Sequence, residues 1–252
     1  MSVIYEPKGK ALEYAPLACN LYRGCSHRCT YCYAPAVLKL SRDAFANAAP
    51  RVGILKEIEK AARGIDPADE RRILLSFTSD CYQPREAEEK LTRETIRLFG
   101  EAGAKLAVLT KNPELALRDL DLIKRYDVHV GSTILFTNDA SRAEFEPGAA
   151  PIASRMAAMR KFHAEGVSTW VSIEPVIIPA EALGVVAELG DAIDLWKIGR
   201  WNYDARAKEI DWPGFLDAML VMLKTVRGSY YIKHDLWALA SPEALASYRQ
   251  SA

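Results

Sequence analysis

The sequence carries no net charge: 33 Lys and Arg residues balance 33 Asp and Glu in a chain of 252. No strong overall field draws it onto nucleic acid or a membrane surface, so any such binding has to come from a local patch. Its apolar runs fall far short of the roughly 18 residues that a membrane span needs. The opening residues, MSVIYEPKGK, lack the apolar stretch of a secretory leader. A cytoplasmic location is expected, with no membrane partner. Only five cysteines are present, an odd number without an export signal, which speaks against a disulfide framework. Low-complexity tracts, fixed-period repeats and Gly/Ser linkers are also missing. What the chain does have is length enough for a large core. Half its residues are hydrophobic. One domain over residues 1–252, with its core at about 15–235, is the expectation. Three of the five cysteines, Cys25, Cys29 and Cys32, crowd into eight residues.

Short β-branched or apolar runs alternate with longer amphipathic stretches. The runs predict strands over 20–24, 73–77, 105–109, 128–134, 168–173, 195–198 and 229–232. The stretches predict helices over 85–101, 113–125, 151–165, 179–189 and 213–226. Pro113, Pro151, Pro179 and Pro213 stand near helix starts, where proline is tolerated. Gly103 and Gly166 suit helix C-caps. Strand–helix alternation implies parallel strands joined by right-handed crossovers. Six or seven such units form an open or closed barrel, whose reacting groups belong at the strand C-terminal ends. Those positions hold Cys25, Thr78, Ser79, Asp80, Cys81, Thr110, Lys111, Glu174, Gly199, Arg200, Lys233 and His234. Helix capping and turn formation would account for about half of them.

Cys25, Cys29 and Cys32 form C-x3-C-x2-C. Three close thiolates are soft ligands for an iron–sulfur cluster or for zinc. A structural zinc site wants a fourth protein ligand, and Cys19, His27 or Cys81 could supply it. A four-iron cluster held by three cysteines instead keeps one iron open to a small molecule.

The string NLYRGCSHRCTYCYAP resembles the cluster segment of radical S-adenosylmethionine enzymes, in the spore photoproduct lyase-like (DNA repair photolyase-like) branch. SFTSDCYQPRE, LTKNP, STI, the Glu146-Pro147 and Arg155 region and WVSIEPVI are similar to that branch too. The resemblance runs over about 20–199. It implies an α/β fold, a partial (β/α)6 TIM-like barrel of the radical SAM type. It also implies a [4Fe-4S] cluster on Cys25, Cys29 and Cys32, with S-adenosylmethionine at the open iron. Tyr31 then meets the adenine. Thr78, Ser79 and Asp80 hold the methionyl amino group. Lys111, Ser132 and Glu174 fall where carboxylate and ribose contacts lie. Tyr33, Cys81, Arg200 and Lys233 are the candidates for contact with the reacting substrate. A flavodoxin- or ferredoxin-type protein would supply electrons.

The resemblance departs at one place. Spore photoproduct lyases carry a hydrogen-donor cysteine just before the TSD of the second strand, where this chain has Phe77. Cys81, four residues on, either replaces that donor or is a small buried hydrophobe. DNA or a modified thymidine is the substrate class implied. Support within the sequence is modest: through Arg72 there are 12 Lys and Arg against 8 Asp and Glu. Arg23, Arg28, Lys39 and Arg42 near the cluster segment could meet phosphates or form a solvated face. Trp201, Tyr203, Trp212, Tyr230, Tyr231 and Trp237 could stack a flipped base or pack the barrel. Lys197, Arg200, Lys233 and His234 could hold a substrate carboxylate or phosphate. Three readings follow. The favoured one is isomerisation of N-linked to C-linked glycyl-thymidine in phage DNA hypermodification, which would place the protein in the host cytoplasm. The others are a photoproduct lyase and a non-catalytic cluster-bearing protein.

Overall fold

A computed structural model describes residues 3–247; residues 1–2 and 248–252 of the expected domain lie outside the described residues. The strands are β1 (Ile4–Tyr5), β2 (Leu17–Cys19), β3 (Tyr22–Arg23), β4 (Ala49–Pro50), β5 (Ile73–Leu75), β6 (Leu106–Thr110), β7 (His129–Thr133), β8 (Thr169–Val176), β9 (Leu195–Arg200) and β10 (Ser229–Ile232). One sheet runs β1-β2-β5-β6-β7-β8-β9-β10. Its neighbours are parallel except β1 and β2. β3 and β4 form a separate antiparallel ribbon. This is the expected α/β architecture, a curled parallel sheet matching the partial barrel. Among the described residues no helix is long and apolar enough to cross a membrane.

The central strands read as apolar runs because both of their faces are covered. Ile73, Leu75, Val108, Val130, Val171, Trp196 and Ile198 point to the outer layer and are buried there. The covering helices include Ile54–Ala62, Leu91–Glu101, Ile152–Ala164, Pro179–Leu189 and Trp212–Leu223. Leu74, Ala107 and Trp170 point the other way and form a small inner cluster with Tyr14, Phe77, Leu109 and Leu195.

Tyr14 belongs to a strap between β1 and β2. The Lys197 ammonium donates to the Glu13 and Tyr14 carbonyls at 3.0 and 2.8 Å. Tyr231 donates to the Glu13 carboxylate at 3.0 Å. The strap thus ties the β1–β2 end of the sheet to β9 and β10 at the other end.

Two expectations need correction. The first parallel strand is Leu17–Cys19, not 20–24. The chain leaves the sheet at Asn20, whose Oδ1 accepts from the Phe77 and Thr78 amides at 2.9 and 3.0 Å. Tyr22–Arg23 then joins the ribbon instead. The helix over 85–101 is broken at Lys90, which has a φ of 51°. There the buried Glu86 carboxylate accepts from the Thr92 amide, starting a new helix at Leu91.

Candidate active site at the cysteine loop

The three clustered cysteines occupy the loop between β3 and the short helix Ala34–Val37. The loop is clamped from three sides. Cys25 N donates to Phe45 O at 2.8 Å. Gln83, beyond β5, accepts from Ser26 N at 3.0 Å and donates to Gly24 O at 3.3 Å. The His27 ring and carbonyl meet Gly148, with Gly148 N donating to His27 O at 2.9 Å and the ring Nδ1 3.0 Å from Gly148 O. Two glycines are required by this packing. Gly24 has a φ of +85°, and a Cβ there would lie 2.4 Å from Phe45 O. A Cβ on Gly148 would lie 2.3 Å from Ser26 O.

Cys29 is buried, while Cys25 and Cys32 are half-buried. Burial pushes the Cys25 thiol up to about 12, with the Asp80 carboxylate adding to it. Cys29 is raised further, again by burial first, with Cys25 and Cys32 contributing. The three groups are therefore close enough to feel one another. Among the described residues no three His, Cys, Asp or Glu side chains converge on a single-ion position. The proposed fourth zinc ligands are engaged elsewhere: Cys81 with Leu75 O, and His27 with Gly148 and Asp80. Cys19 is buried in β2. The donor set suits a group that spreads its thiolates over several metals, as an iron–sulfur cluster does.

Asp80 knits this loop to the strand ends. Its Oδ1 accepts from Tyr82 N at 2.8 Å and Thr110 Oγ1 at 2.7 Å. Its Oδ2 accepts from Lys111 N at 2.6 Å and lies 3.0 Å from His27 Nε2, off the hydrogen-bond line. Burial opposes ionisation, but His27, Lys111 N and Thr110 outweigh it and hold the carboxyl down at about 2. Both oxygens are thus taken by internal donors. The expected contact of Asp80 with a methionyl amine would have to be made beside these internal donors. Thr78 N is held by Asn20, and Ser79 O accepts from Ser76 at 2.7 Å.

Tyr31 donates to Glu146, whose other oxygen meets Arg155 at 2.6 Å. Both charged residues are fully buried. Burial alone would raise Glu146, but Arg155 and Lys111 bring it below the usual carboxylate value. The Lys111 ammonium stands 5.6 Å from the Tyr31 ring centre. Ser132 donates to Thr110 O at 2.9 Å and so braces the neighbouring strand end.

On the inner face of β8, Glu174 forms an ion pair with Lys233 at 2.9 Å and accepts from Tyr14 at 2.5 Å. Lys233 also donates to Lys10 O at 3.1 Å. Lys197 is pushed down to about 8, by burial and then by Lys233. Tyr33 is 46% exposed and donates to Phe77 O at 3.3 Å. Tyr203 is 92% exposed, and its phenol lies near enough to act on that of Tyr33.

Two substrate candidates fall outside this arrangement. Cys81 is fully buried, donates to Leu75 O at 3.2 Å and is raised well above the ordinary thiol value by burial. It is packed in the core and offers no exposed thiol. Arg200 lies on the outer face of β9. Successive strand residues alternate in direction, and Lys197 and Gly199 take the inner face. The Arg200 guanidinium stacks 5.5 Å from the Trp212 ring in the helical layer. Trp201 and Trp212 are buried as packing rather than free to stack a base. Sequence reasoning missed Gln83 and Tyr14 as site residues. Nothing local marks either one, because their partners lie far along the chain.

A sequence model described as the radical SAM superfamily matches residues 19–191. An uncharacterised protein of Methanocaldococcus jannaschii is 29% identical over 159 residues, 63% of this chain and 59% of the relative. An uncharacterised protein of Acidianus two-tailed virus is 27% identical over 178 residues, 64% of this chain and 56% of the relative. The chain's matches thus span little more than half the length of these relatives. In fold, the chain is similar to a spore photoproduct lyase solved with bound AdoMet and dinucleoside spore photoproduct. The TM-score is 0.69 at 18% identity, covering 92% of this chain and 78% of that one. SuiB of Streptococcus suis, solved with S-adenosylmethionine, gives a TM-score of 0.62 at 11% identity, covering 89% and 52%.

Proposed function

The chain belongs to the radical SAM superfamily, and from that membership we propose that it is an enzyme abstracting hydrogen from a thymine-derived group in DNA. Its cofactors are those of the superfamily, a [4Fe-4S] cluster and S-adenosylmethionine. When bound, the pair supplies a 5′-deoxyadenosyl radical by one-electron cleavage of the sulfonium. Membership in an enzyme superfamily sets aside the non-catalytic reading.

In this proposal Cys25, Cys29 and Cys32 hold the cluster. Tyr31, fixed by Glu146, carries the adenine, and Lys111 beside it faces the carboxylate. Thr78 and Ser79 receive the amino group, while Asp80 acts through His27 and Lys111 N as a positioning residue. Glu174 and the Lys233 ammonium face inward from later strand ends, while Ser132, in register with outward-facing Val171, braces Thr110 O. Lys233 is the inward cation suited to a substrate carboxylate, for which Glu174 is its internal substitute.

The favoured reaction is isomerisation of N-linked to C-linked glycyl-thymidine, as in phage hypermodification. One observation carries it: no thiol is free at the end of β5. Phe77 stands where the lyases place their donor, and Cys81 is enclosed in the core. An isomerase needs no donor, because 5′-deoxyadenosine returns its hydrogen to the product. A lyase reading draws support from the fold shared with a photoproduct lyase that binds a dinucleoside photoproduct.

The test is anaerobic incubation with dithionite, S-adenosylmethionine and DNA bearing deuterated N-glycyl-thymidine, followed by mass analysis of nucleosides. Deuterium should pass through 5′-deoxyadenosine into a product of unchanged mass, and Cys81→Ala should still form that product. Solvent hydrogen in the wild-type product, with aberrant adducts from Cys81→Ala, would restore the lyase.

A further inference from the structure

Gln83 is a polar side chain enclosed in the core, fully buried beyond the end of β5. Both halves of its amide are spent on the two peptide units that flank Cys25. Oε1 accepts from Ser26 N at 3.0 Å, and Nε2 donates to Gly24 O at 3.3 Å. The Gly24–Cys25 unit is held a second time, by Cys25 N on Phe45 O at 2.8 Å. A peptide unit is planar, and only φ and ψ turn it. Fixing the planes on both sides of Cys25 therefore fixes where its Cβ points. The sulfur so placed is acted on by the backbone amides of His27 and Asp80, which favour its thiolate.

The segment that carries Gln83 is anchored independently of the loop. Glu86 N donates to Gln83 O at 2.8 Å, and Asn112 Nδ2 donates to Tyr82 O at 3.1 Å. The fully buried Glu86 carboxylate accepts from Thr92 N at 3.0 Å and from Arg118 at 2.8 Å. It also accepts from Tyr22 on β3. Residues 22, 24 and 26 are thus tied in turn to the segment 83–86. An amide is the group this place asks for. The isosteric carboxylate of glutamate would still accept from Ser26 N but has no hydrogen for Gly24 O.

We propose that Gln83 is a positioning residue that aims the Cys25 sulfur and thereby sets the reduction potential of the cluster bound there. The proposal rests on the radical SAM reading above. Reduction adds negative charge to a cluster and its sulfurs. Amide N–H groups directed at a ligating sulfur therefore stabilise the reduced form, and hydrogen bonds to the sulfurs are among the determinants of such potentials. Groups that orient a metal's ligands tune the metal without touching it. Gln83 acts in this way through the direction of Cys25 and is not itself a ligand. Releasing the two peptide planes lets the sulfur move off the amides, which lowers the potential.

The experiment uses the anaerobically reconstituted enzyme without S-adenosylmethionine. Potentials are read by electron paramagnetic resonance during a mediated redox titration, with iron per chain and urea midpoints measured on the same samples. The variants are Gln83→Leu, which loses both bonds, Gln83→Glu, which keeps the acceptor, and Leu216→Ala. Leu216 is fully buried in the helix Trp212–Leu223, so its truncation weakens the fold without touching the clamp. Gln83→Leu should make the cluster about tenfold harder to reduce, a fall of about 59 mV for one electron. Gln83→Glu should shift the same way, having lost the bond to Gly24 O and gained a buried negative charge. Leu216→Ala should keep the wild-type potential at a lower urea midpoint. The titration follows only molecules that hold a cluster, so partial loading does not hide the shift. Wild-type potentials in both Gln83 variants overturn the proposal. So does an equal fall in Leu216→Ala, which would make the shift an effect of lost stability. Gln83 variants that hold no iron at all also overturn it, since Gln83 would then decide assembly rather than potential. A wild-type protein that assembles no four-iron cluster fails earlier, and overturns the function proposed above.

Discussion

Replacing Glu146 by Gln tests the link between the buried charges and Tyr31. Glu146 and Arg155 meet at 2.6 Å with no exposure of either side chain. Arg155 also donates to Ala150 O at 2.8 Å and Thr133 O at 3.1 Å. Its Nη2 already lacks a hydrogen-bond partner among the described residues. Neutralising Glu146 leaves a guanidinium buried without a counter-charge, a change that costs about 3–5 kcal/mol. Gln keeps one acceptor, so the lower end is expected, about 3 kcal/mol. Stability as a whole is only about 5–15 kcal/mol, and the loss should be plain in urea denaturation at pH 7. Removing both charges together, with Glu146→Leu and Arg155→Met, should cost much less than the sum of the single changes.

The pH dependence carries the same sign. Glu146 titrates below its usual value when folded. The unfolded chain therefore binds its proton first as pH falls. This contribution is complete above about 4.5, the ordinary Glu value, and is lost on acidification through the lower folded value. Glu146→Gln should lack that acid-side loss. A Glu146→Gln protein within about 1 kcal/mol of the wild type at pH 7, well under the expected penalty, would refute the reasoning.

Two further outcomes are expected. Gly148→Ala places a methyl carbon 2.3 Å from the Ser26 carbonyl, so the cysteine loop must shift. Iron bound after reconstitution should fall by about half or more while far-UV dichroism is kept, since misplacing a supported site costs affinity before fold; full iron loading would remove Gly148 from the clamp. Lys197 titrates near 8 when folded against 10.5 ordinarily. Between those values the unfolded chain holds the extra proton, so this group makes stability rise with pH. Urea midpoints at pH 8 and pH 10 should show that rise in the wild type and lack it in Lys197→Met. An equal rise in both would assign it to other groups.

The strands over 105–109, 128–134 and 168–173 were legible because a strand covered on both faces is largely apolar along its length, and the edge run over 229–232 from its aromatic and β-branched residues. Where tertiary bonds compete, that signal fails. Residues 17–24, LACNLYRG, are apolar enough to be a strand in either half. What divides them is Asn20, bonded to amides 57 and 58 residues away. The helix break at Lys90 has the same origin. Residues 85–101 have helical spacing throughout, but Glu86 turns its carboxylate to Thr92 N and to Arg118. The two-residue strands β1 and β4 are too short to carry any period.

The candidate site divides along the same line. Cys25, Cys29 and Cys32 are legible because their ligand pattern is contained in eight residues. Asp80 and Glu174 are legible as strand-end acids, but their tasks are not. Asp80 is spoken for by Thr110 and Lys111, and Glu174 by Tyr14 and Lys233, at separations of 30 to 160 residues. Arg200 shows how finely direction is set. A strand has period two, so Gly199 faces Glu174 while Arg200, one residue on, faces the helices. Spacing in the sequence marks both as residues at the end of β9 and cannot tell them apart. Cys81 turns on the same kind of detail: beyond the end of β5 a thiol could face the lumen or the core, and the Leu75 carbonyl draws it to the core. The motif therefore announces the chemistry, whereas the outcome of the radical depends on which side chains long-range hydrogen bonds have already withdrawn from the site.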